Sequence, residues 1–520
     1  MTGKKRFPAA AIFGMVIGAL GFAVAELAAA LIGRPQAGPL VAAGSAFIDL
    51  TPQWLKDFAI RTFGTADKIV LLLSLAVGAL LVAALMGWAG TRRRPWPAVA
   101  VLFGLVAVAG AAALTRPTAL LTDIVPSAAA AAAGLAALTL VRRRLLPHST
   151  STAGDPAQDH PDQRENREVD RRALLITGAG LLGVAALAGG SSRAITALRP
   201  TGATMSVLPR PAYPAPPLPP GTDLQIPGMA RFITPATGFY RVDTALVIPR
   251  VPAQEWTLRV HGLVDRPFEL TMGELLAQPL TERDITLTCV SNEVGGPYAG
   301  NARWLGLDLR TLLRQAGVQR DAGLLLSRSA DGWSATTPLE TVLDGRDALL
   351  AVAMNGQPLS PEHGFPARLI VPGLYGYASA TKWVTDLELV ANATGLSYWT
   401  TRGWAERAPI KTASRIEVPK PFATVPAGRS VIAGTAWAQH RGIAAVEVSV
   451  DDGPWQQAQL AATPGPDTWR QWKLPWQATP GQHRLQVRAV DAGGALQTSR
   501  RAPTFPDGAT GWHSVLVTVI

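Results

Sequence analysis

One cysteine stands alone in this chain of 520 residues, at position 289 in the stretch TLTCVSNEVGG. A lone cysteine cannot close an internal disulfide, so Cys289 is an inert buried side chain, a reactive thiol or a metal ligand. The strand-like run DITLT leads into it, and polar residues and glycines follow, as is typical of a strand that ends at a pocket. A thiolate in that setting is a soft ligand suited to a transition metal.

The rest of the sequence excludes several classes of metal site and partner. It contains no CxxC, no CxxCH and no Cys/His knuckle, which excludes zinc ribbons, c-type haem and iron–sulfur clusters within this chain. The net charge of +11 comes largely from arginines and lysines that flank apolar segments in the first third. The charge therefore indicates membrane topology rather than nucleic-acid binding.

Two long motifs, the first of which contains Cys289, resemble those of a known family. LTCVSNEVGGPYAGNARWLGLDLRTLL is similar to the metal-ligand segment of the sulfite oxidase family of molybdopterin enzymes, and MNGQPLSPEHGFPARLIVPGLYGYASATKWV is similar to a cofactor-binding segment of the same family. GFYRVDTALVIPRV is a weaker match to the first pterin-contacting residues. The resemblance covers about residues 230–520. The arrangement of the whole chain resembles the actinobacterial membrane-anchored members of that family.

The resemblance implies a Mo-molybdopterin cofactor, with Cys289 as the sulfur ligand of the metal. Because the pterin carries a phosphate, cationic and amide donors must surround it. Catalytic roles are predicted for Cys289, Tyr298 and Tyr375, and cofactor contacts for Tyr240, Arg241, Asp243, Asn292, His363, Arg368, Ser379 and Lys382.

Three of these predictions have open alternatives. Asp243 stands where some relatives have a histidine. His363 by itself would more often be a satisfied loop histidine than a ligand, and Arg368 by itself a solvated strand end. Only their place within the motif assigns them to the cofactor.

The substrate side departs from the family. Sulfite oxidases have an arginine five residues after the cysteine, in an anion pocket, whereas this chain has Val294 there, next to Glu293. Without that cation a small dianion such as sulfite loses a charge-assisted partner. Tyr298, Tyr375 and Trp404 are predicted pocket walls, which favours a larger or neutral oxo-transfer substrate such as a sulfoxide.

The segment before this part of the chain is predicted to be membrane-spanning. A four-helix transmembrane region is expected within 1–145, since four apolar stretches are long enough, or nearly, to cross a hydrocarbon core of about 30 Å. Their basic flanks, KKR, TRRR and VRRR, predict that both ends face the cytoplasm. No histidine lies in a predicted span, which excludes a bis-histidine haem b there. The four stretches are 8–33, 69–90, 97–115 and 124–141.

A fifth transmembrane helix is predicted at 171–195, after a polar cytoplasmic linker at 146–170. The arginine pair before a weakly apolar run resembles a twin-arginine export signal; the alternative is the positive flank of an ordinary span. Asp170 replaces the usual Ser or Thr of that signal. An odd number of spans predicts a multi-pass protein of the cell membrane whose later domains are extracytoplasmic.

The remaining chain is predicted to form four segments. Seven prolines between Pro209 and Pro220 predict an extended tether, and alternating strands near the end predict an immunoglobulin-like β-sandwich that resembles the family's dimerisation domain. The expected fold class is multi-domain: a transmembrane helical bundle of 4+1 helices, an α+β molybdopterin domain and the sandwich. The segments are the tether at 196–230, the molybdopterin-binding oxidoreductase domain at 231–400, a connector at 401–424 and the sandwich at 425–520.

These features predict a membrane-anchored molybdenum-dependent oxidoreductase that performs two-electron oxo transfer. The expected partners are a small-molecule oxo donor or acceptor, an external electron carrier or redox protein, and membrane lipid, but no nucleic acid. The tail's resemblance suggests a homodimer. Two alternatives remain: a protein or small-molecule sulfoxide reductase of the same family, and a non-catalytic membrane-anchored binding protein that has lost the cofactor.

Overall fold

The structure of the chain is a computed structural model, which describes residues 6–52, 55, 58–59, 62–63, 67–90, 96–145, 171–198 and 208–520. It divides into two compact units, Met1–Pro200 with Ala245–Val247, and Thr201–Thr244 with Ile248–Ile520. The linker predicted at 146–170 lies outside the described residues.

The first unit is helical in all of its longer described segments. Five of these helices are long and apolar enough to cross a membrane: Ala10–Leu31, Lys68–Ala89, Trp96–Leu114, Leu121–Arg143 and Leu175–Leu198. Long apolar runs form helices because a helix satisfies every backbone polar group within the segment. The helices are α1 (Arg6–Leu31), α2 (Pro39–Leu50), α3 (Asp67–Gly90), α4 (Trp96–Leu114), α5 (Val125–Leu145) and α6 (Arg171–Leu198).

Small residues allow α1 and α3 to approach closely. A Cβ on Gly14 of α1 would lie 2.0 Å from the carbonyl oxygen of Ala83 in α3, so only glycine fits there. Such contacts between small residues are typical of helix packing in membranes. Arg34 forms a partly buried ion pair with Asp123 in the same unit, which neutralises both charges.

The first part of the second unit contains two sheets around a shared core. One sheet has the order β2-β1-β10-β5-β6 and the other β3-β4-β7-β8, with β9 pairing to β7. The strands are β1 (Thr257–Gly262), β2 (Phe268–Thr271), β3 (Thr281–Thr288), β4 (Ala299–Asp308), β5 (Leu324–Ser329), β6 (Ser334–Pro338), β7 (Leu349–Met354), β8 (Gln357–Pro358), β9 (Arg368–Ile370) and β10 (Val384–Val390).

Three short helices complete this core: α7 (Met272–Leu276), α8 (Leu309–Ala316) and α9 (Leu339–Leu343). Asp308 caps α8, because its side chain accepts a hydrogen bond from the Thr311 amide. The apolar face of α8, including Leu312 and Leu313, is fully buried with Trp304 of β4. The core therefore holds β4 and the strands beside it rigidly, and the loops at their ends carry the candidate site.

The C-terminal part contains two further sheets around a second core, in the orders β11-β13-β17-β16 and β12-β19-β18-β14-β15. Alternation predicts the inward side chains correctly in β18, where Leu485, Val487 and Ala489 are buried. The strands are β11 (Ala413–Val418), β12 (Thr424–Val425), β13 (Gly428–Trp437), β14 (Ile443–Val450), β15 (Gln456–Gln457), β16 (Gln459–Leu460), β17 (Arg470–Ala478), β18 (Gly481–Asp491) and β19 (His513–Val519).

These C-terminal sheets begin at Ala413, twelve residues before the boundary expected at 425. The reason is that β11 does not alternate. Ser414, Arg415, Ile416 and Glu417 are all buried, so polar residues occupy both faces of the strand and hide its period.

The proline-rich segment is extended and lies along the second unit. The Ala212 amide donates to Leu280 O at 2.9 Å, and the Glu282 amide donates to Tyr213 O at 2.9 Å. Farther on, the Leu224 amide donates to Gln471 Oε1 at 2.7 Å. The described part, 208–230, is therefore held against the strands rather than projecting from them.

Candidate cofactor site around Cys289

Cys289 lies directly after β3, at the start of the loop that leads into β4. Thr288 pairs with Ala299, and the Cys289 amide continues the ladder by donating to Tyr298 O at 2.9 Å. Asn292 closes the loop, since its Oδ1 accepts from the Tyr298 amide at 2.8 Å. The antiparallel pair thus places the sulfur at a fixed strand end, with a side chain that is 9% exposed.

The surroundings of the Cys289 thiol shift its pKa in opposite directions. Burial raises the pKa of Cys289, while the Ser291 amide, 3.4 Å from Sγ, and the nearby Lys382 cation lower it. A metal ion would supply the charge that the buried thiolate needs.

A cluster of three basic side chains, His363, Arg368 and Lys382, lies at the start of β9 and in the loops on either side of it. Arg368 is 4% exposed; it donates to His363 O at 3.2 Å and Ala380 O at 3.4 Å, and its guanidinium lies 5.3 Å from the Trp304 ring centroid. Burial lowers the pKa of Arg368 to about 10. A charged group at this depth is suited to bind an anion, because burying a charge is costly unless it is paired.

His363 is buried beside this arginine. Its Nε2 bonds to Ala236 O at 2.9 Å, so Nε2 carries the proton, and its ring packs edge-on against Phe239. Burial lowers the pKa of His363, and the Arg368 and Lys382 cations lower it further. The neutral imidazole is therefore favoured, with Nδ1 left as a buried nitrogen without a hydrogen-bond partner among the described residues.

Lys382 is held by the carboxylate of Asp243. Nζ lies 3.0 Å from Asp243 Oδ2, and the same oxygen accepts from Arg241 Nε at 2.8 Å. Burial lowers the pKa of Lys382 to about 8, and Asp243 opposes that shift. Arg241 is more exposed than Lys382, so Asp243 joins a buried cation to a cation at the rim.

Tyr240 connects the basic cluster with the cysteine loop. Its ring stacks on Phe239 at 5.2 Å and lies 6.3 Å from the Tyr298 ring. Burial raises the pKa of Tyr240, and the Cys289 thiolate raises it further, so the phenol stays protonated. The structure therefore brings together Tyr240, Arg241, Asp243, Cys289, Asn292, Tyr298, His363, Arg368 and Lys382.

Tyr375 and Ser379 use their hydroxyls elsewhere. Tyr375 is buried, and its hydroxyl accepts from the Lys411 amide at 3.4 Å. Lys411 Nζ in turn lies 2.9 Å from Asp507. The Ser379 hydroxyl donates within its own turn, to Leu374 O and Tyr375 O. Neither hydroxyl is directed by these bonds toward the basic cluster.

The donor set fits an anionic cofactor. In the continuous stretch 208–520, Arg368 Nε and His363 Nδ1 are buried polar atoms without a hydrogen-bond partner. Buried polar groups are normally bonded, and two such atoms beside Lys382 fit a phosphate group, which binds cationic nitrogen donors. A buried thiol next to this cluster fits the metal end of a metal-bearing cofactor.

Sequence reasoning missed two groups that complete the site. Trp304 lies under the Arg368 guanidinium, although only its place in the motif RWLGLDL could have indicated it. The Lys411–Asp507 pair joins residues 96 positions apart and left no signal in the sequence, although the Lys411 amide donates to the Tyr375 hydroxyl.

Comparison with known proteins places the site in a family. Residues 245–399 match the family model for the oxidoreductase molybdopterin binding domain. The mitochondrial sulfite oxidase of Homo sapiens is 30% identical over 340 residues, which cover 55% of this chain and 62% of that protein. The chain thus spans less than two thirds of the length of this sulfite oxidase and of its rat and mouse counterparts.

A shorter relative is covered more completely. The uncharacterized oxidoreductase YuiH of Bacillus subtilis is 36% identical over 154 residues, which are 29% of this chain and 74% of that protein. A solved structure, the sulfane dehydrogenase SoxCD from Paracoccus pantotrophus, matches with 28% identity and a TM-score of 0.49, over 55% of this chain and 81% of that one. The chain belongs to the sulfite oxidase family of molybdopterin-dependent oxidoreductases, whose cofactor is Mo-molybdopterin.

Proposed function

We propose that this protein is a membrane-anchored, extracytoplasmic oxidoreductase that carries out two-electron oxo transfer at a molybdenum centre ligated by Cys289. The observation that carries the proposal is the buried basic cluster, His363, Arg368 and Lys382, beside a buried thiol. A cofactor with a phosphate at one end and a metal at the other meets both requirements. When bound, it supplies oxo-transfer chemistry, in which an oxygen atom moves one way and two electrons the other.

The chain's own residues would divide the work along that cofactor. Arg368 and Lys382 would hold the phosphate by charge-assisted bonds, and His363 Nδ1 would add a third donor. Asp243 keeps Lys382 in place through its 3.0 Å contact. Tyr240, which stays protonated because it is buried, would line the pterin between the two ends.

At the metal end, the cysteine loop would supply the Cys289 thiolate as the ligand. Asn292 fixes the loop through the Tyr298 amide, so its role is to orient Cys289. Tyr298 is half-buried beside Tyr240 and is the tyrosine of the predicted catalytic set that can face a substrate. Tyr375 would form a wall, since its hydroxyl bonds to the Lys411 amide.

A neutral oxo substrate, such as a sulfoxide, is the second candidate, and the charges near the cysteine support it. Position 294 is valine. The cations that the C-terminal sheets and the connector place near the loop are paired: Lys411 with Asp507, and Arg415 with Glu417. A dianion would find no unpaired cation among these groups, whereas a neutral oxide needs only a hydrogen-bond donor.

The other parts of the proposal concern location and assembly. Five helices of membrane-spanning length and the basic flanks support a multi-pass anchor with the site outside the cytoplasm. Two sheets around one core support an immunoglobulin-like sandwich, with homodimerisation as its proposed role. An external electron carrier or redox protein would complete the turnover.

The test is metal content and turnover of the full-length protein purified in detergent. We expect about one molybdenum per chain, since each chain offers a single thiolate ligand. We also expect turnover with artificial electron carriers: reduction of neutral sulfoxides or N-oxides by a reduced dye should be faster than oxidation of sulfite by an oxidised dye. A content below about 0.1 molybdenum per chain would contradict the proposal and favour a binding protein that has lost its cofactor.

A further inference from the structure

The C-terminal sheets contact the chain immediately before Cys289. Gln439 Nε2 donates to Thr286 O at 3.2 Å and to Thr288 Oγ1 at 2.9 Å. The Trp469 amide donates to Thr286 Oγ1 at 2.7 Å, and the Thr286 amide donates to Asp467 O at 2.9 Å. The last residues of β3 are therefore bonded to the C-terminal part as well as to their own sheet.

The same sheets contact the loop immediately after Cys289. Arg415 NH1, from β11, donates to Gly296 O at 2.7 Å. The ring of His513, at the start of β19, covers Gly295, where an added Cβ would lie 2.3 Å from Nε2. Gly295 also has φ +80, so the loop needs glycine there for two reasons.

The guanidinium of Arg415 is also held by Glu417. Its Nε and NH2 donate to Glu417 Oε1 at 3.0 and 2.5 Å. Glu417 accepts further bonds from Thr435 Oγ1 at 2.9 Å and from the Ala230 amide at 2.6 Å. Both side chains are buried, at 10% and 6% exposure. A buried ion pair adds little net stability, which suggests that this one is retained for the geometry it imposes.

We propose that Arg415 is a positioning residue for the metal-ligand loop: held by Glu417, its guanidinium fixes Gly296 and thereby the orientation of Cys289. The C-terminal sheets are then part of the metal site and not only a dimerisation module. The inference rests on the proposed role of Cys289 as the metal ligand. Nε and NH2 of Arg415 donate to Glu417 while NH1 donates to Gly296, so the guanidinium is oriented toward the loop.

The experiment uses the full-length protein in detergent and the substitution Arg415→Met. We expect amide exchange in peptides spanning 289–298 to be about tenfold faster, because a bond from a charged donor to the loop is lost. In molybdenum-loaded protein we expect an altered electron paramagnetic resonance spectrum of the partly reduced metal, and a lower kcat at unchanged KM. Unchanged exchange and an unchanged spectrum would overturn the proposal.

Arg441→Met is the matched control. Arg441 lies in the same part of the chain, pairs with Asp491 at 2.9 Å and donates to the backbone oxygen of Ile410 at 3.0 Å, but it does not bond to the cysteine loop. We expect this variant to leave exchange at 289–298 and the metal spectrum unchanged. An equal effect of both substitutions would reduce Arg415 to a general structural role and overturn the proposal.

Two further variants keep the test decisive if Arg415→Met does not fold. Arg415→Met with Glu417→Gln leaves no unpaired buried carboxylate, and should show the same loosened loop. Arg415→Lys retains a cation but cannot reach Glu417 and Gly296 with a fork of donors, so it should restore folding more than kcat. If the protein holds no molybdenum, the proposed function fails, while amide exchange at 289–298 still decides whether Arg415 orders the loop.

Discussion

Arg368→Met should separate stability from cofactor binding. In the cofactor-free protein, burial lowers the pKa of Arg368 to about 10, well below the ordinary value of a guanidinium. That difference corresponds to about 3 kcal/mol of free energy by which the folded protein disfavours the charged side chain. This free energy destabilises the folded protein at every pH below about 10, because the guanidinium is charged there in both the folded and the unfolded chain.

Replacing Arg368 by methionine removes this penalty. It also removes the contacts of the guanidinium that partly offset the penalty. The bonds to His363 O and Ala380 O are long, 3.2 and 3.4 Å, and contribute about 1 kcal/mol together. The contact with Trp304 contributes about another 1 kcal/mol. The cofactor-free variant should therefore be more stable than the parent by about 1 kcal/mol, yet retain little or no molybdenum.

The assay is the melting temperature of the full-length protein from cells that cannot make the cofactor, with metal content measured on the loaded protein. Arg303→Met is the control, since Arg303 pairs at 2.8 Å with Asp284, whose carboxylate is buried. That variant should melt at a lower temperature, because an unpaired buried charge remains. If Arg368→Met lowered the melting temperature as much as the control and kept its molybdenum, the assignment of Arg368 to the phosphate would be wrong.

Three further outcomes are expected. Since burial lowers the pKa of Lys382 to about 8, binding of the anionic cofactor by cofactor-free protein should weaken as the pH rises through 8, and Lys382→Met should remove this dependence when reconstitution is followed across pH. Asp243→Asn removes the carboxylate that opposes that shift, so it should move the midpoint to lower pH in the same assay; an unmoved midpoint would contradict the pairing. Gly508→Ala should destabilise the protein by about 1–3 kcal/mol in a melting experiment, because φ is +98 and the new Cβ would lie 2.5 Å from Tyr375 Oη. Gly428→Ala is the control; φ is positive there too, but the space around the new Cβ is open, so this substitution should destabilise the protein less.

Much of the cofactor site could be predicted because its residues lie in two continuous motifs. The strand-like run before Cys289 forms β3, and the HGFPAR loop places His363 and Arg368 together. The length of the apolar stretches also predicted the long helices, since a stretch that crosses the hydrocarbon core of a membrane has few alternatives to a helix. Local sequence carries this information because each motif folds into one strand and one adjoining loop.

The remainder depends on contacts between distant positions. Arg415 and Gly296 are 119 residues apart, and no pattern in either segment indicates their bond. The sequence did not reveal β11, because buried polar residues on both of its faces remove the two-residue alternation of a strand. One of these residues, Arg415, bonds to the neighbouring loop. The use of the Ser379 hydroxyl within its own turn was equally hidden, because a motif gives a residue's position but not the direction of its side chain.

The central claim is that Cys289 is a ligand of molybdenum, and X-ray absorption at the molybdenum edge tests it most directly. The parent protein should show one more sulfur neighbour of the metal than Cys289→Ser, because the substitution replaces the thiolate sulfur by an oxygen. The substitution should leave the fold intact, since the two side chains differ little in volume. An equal number of sulfur neighbours in the two proteins would contradict the account.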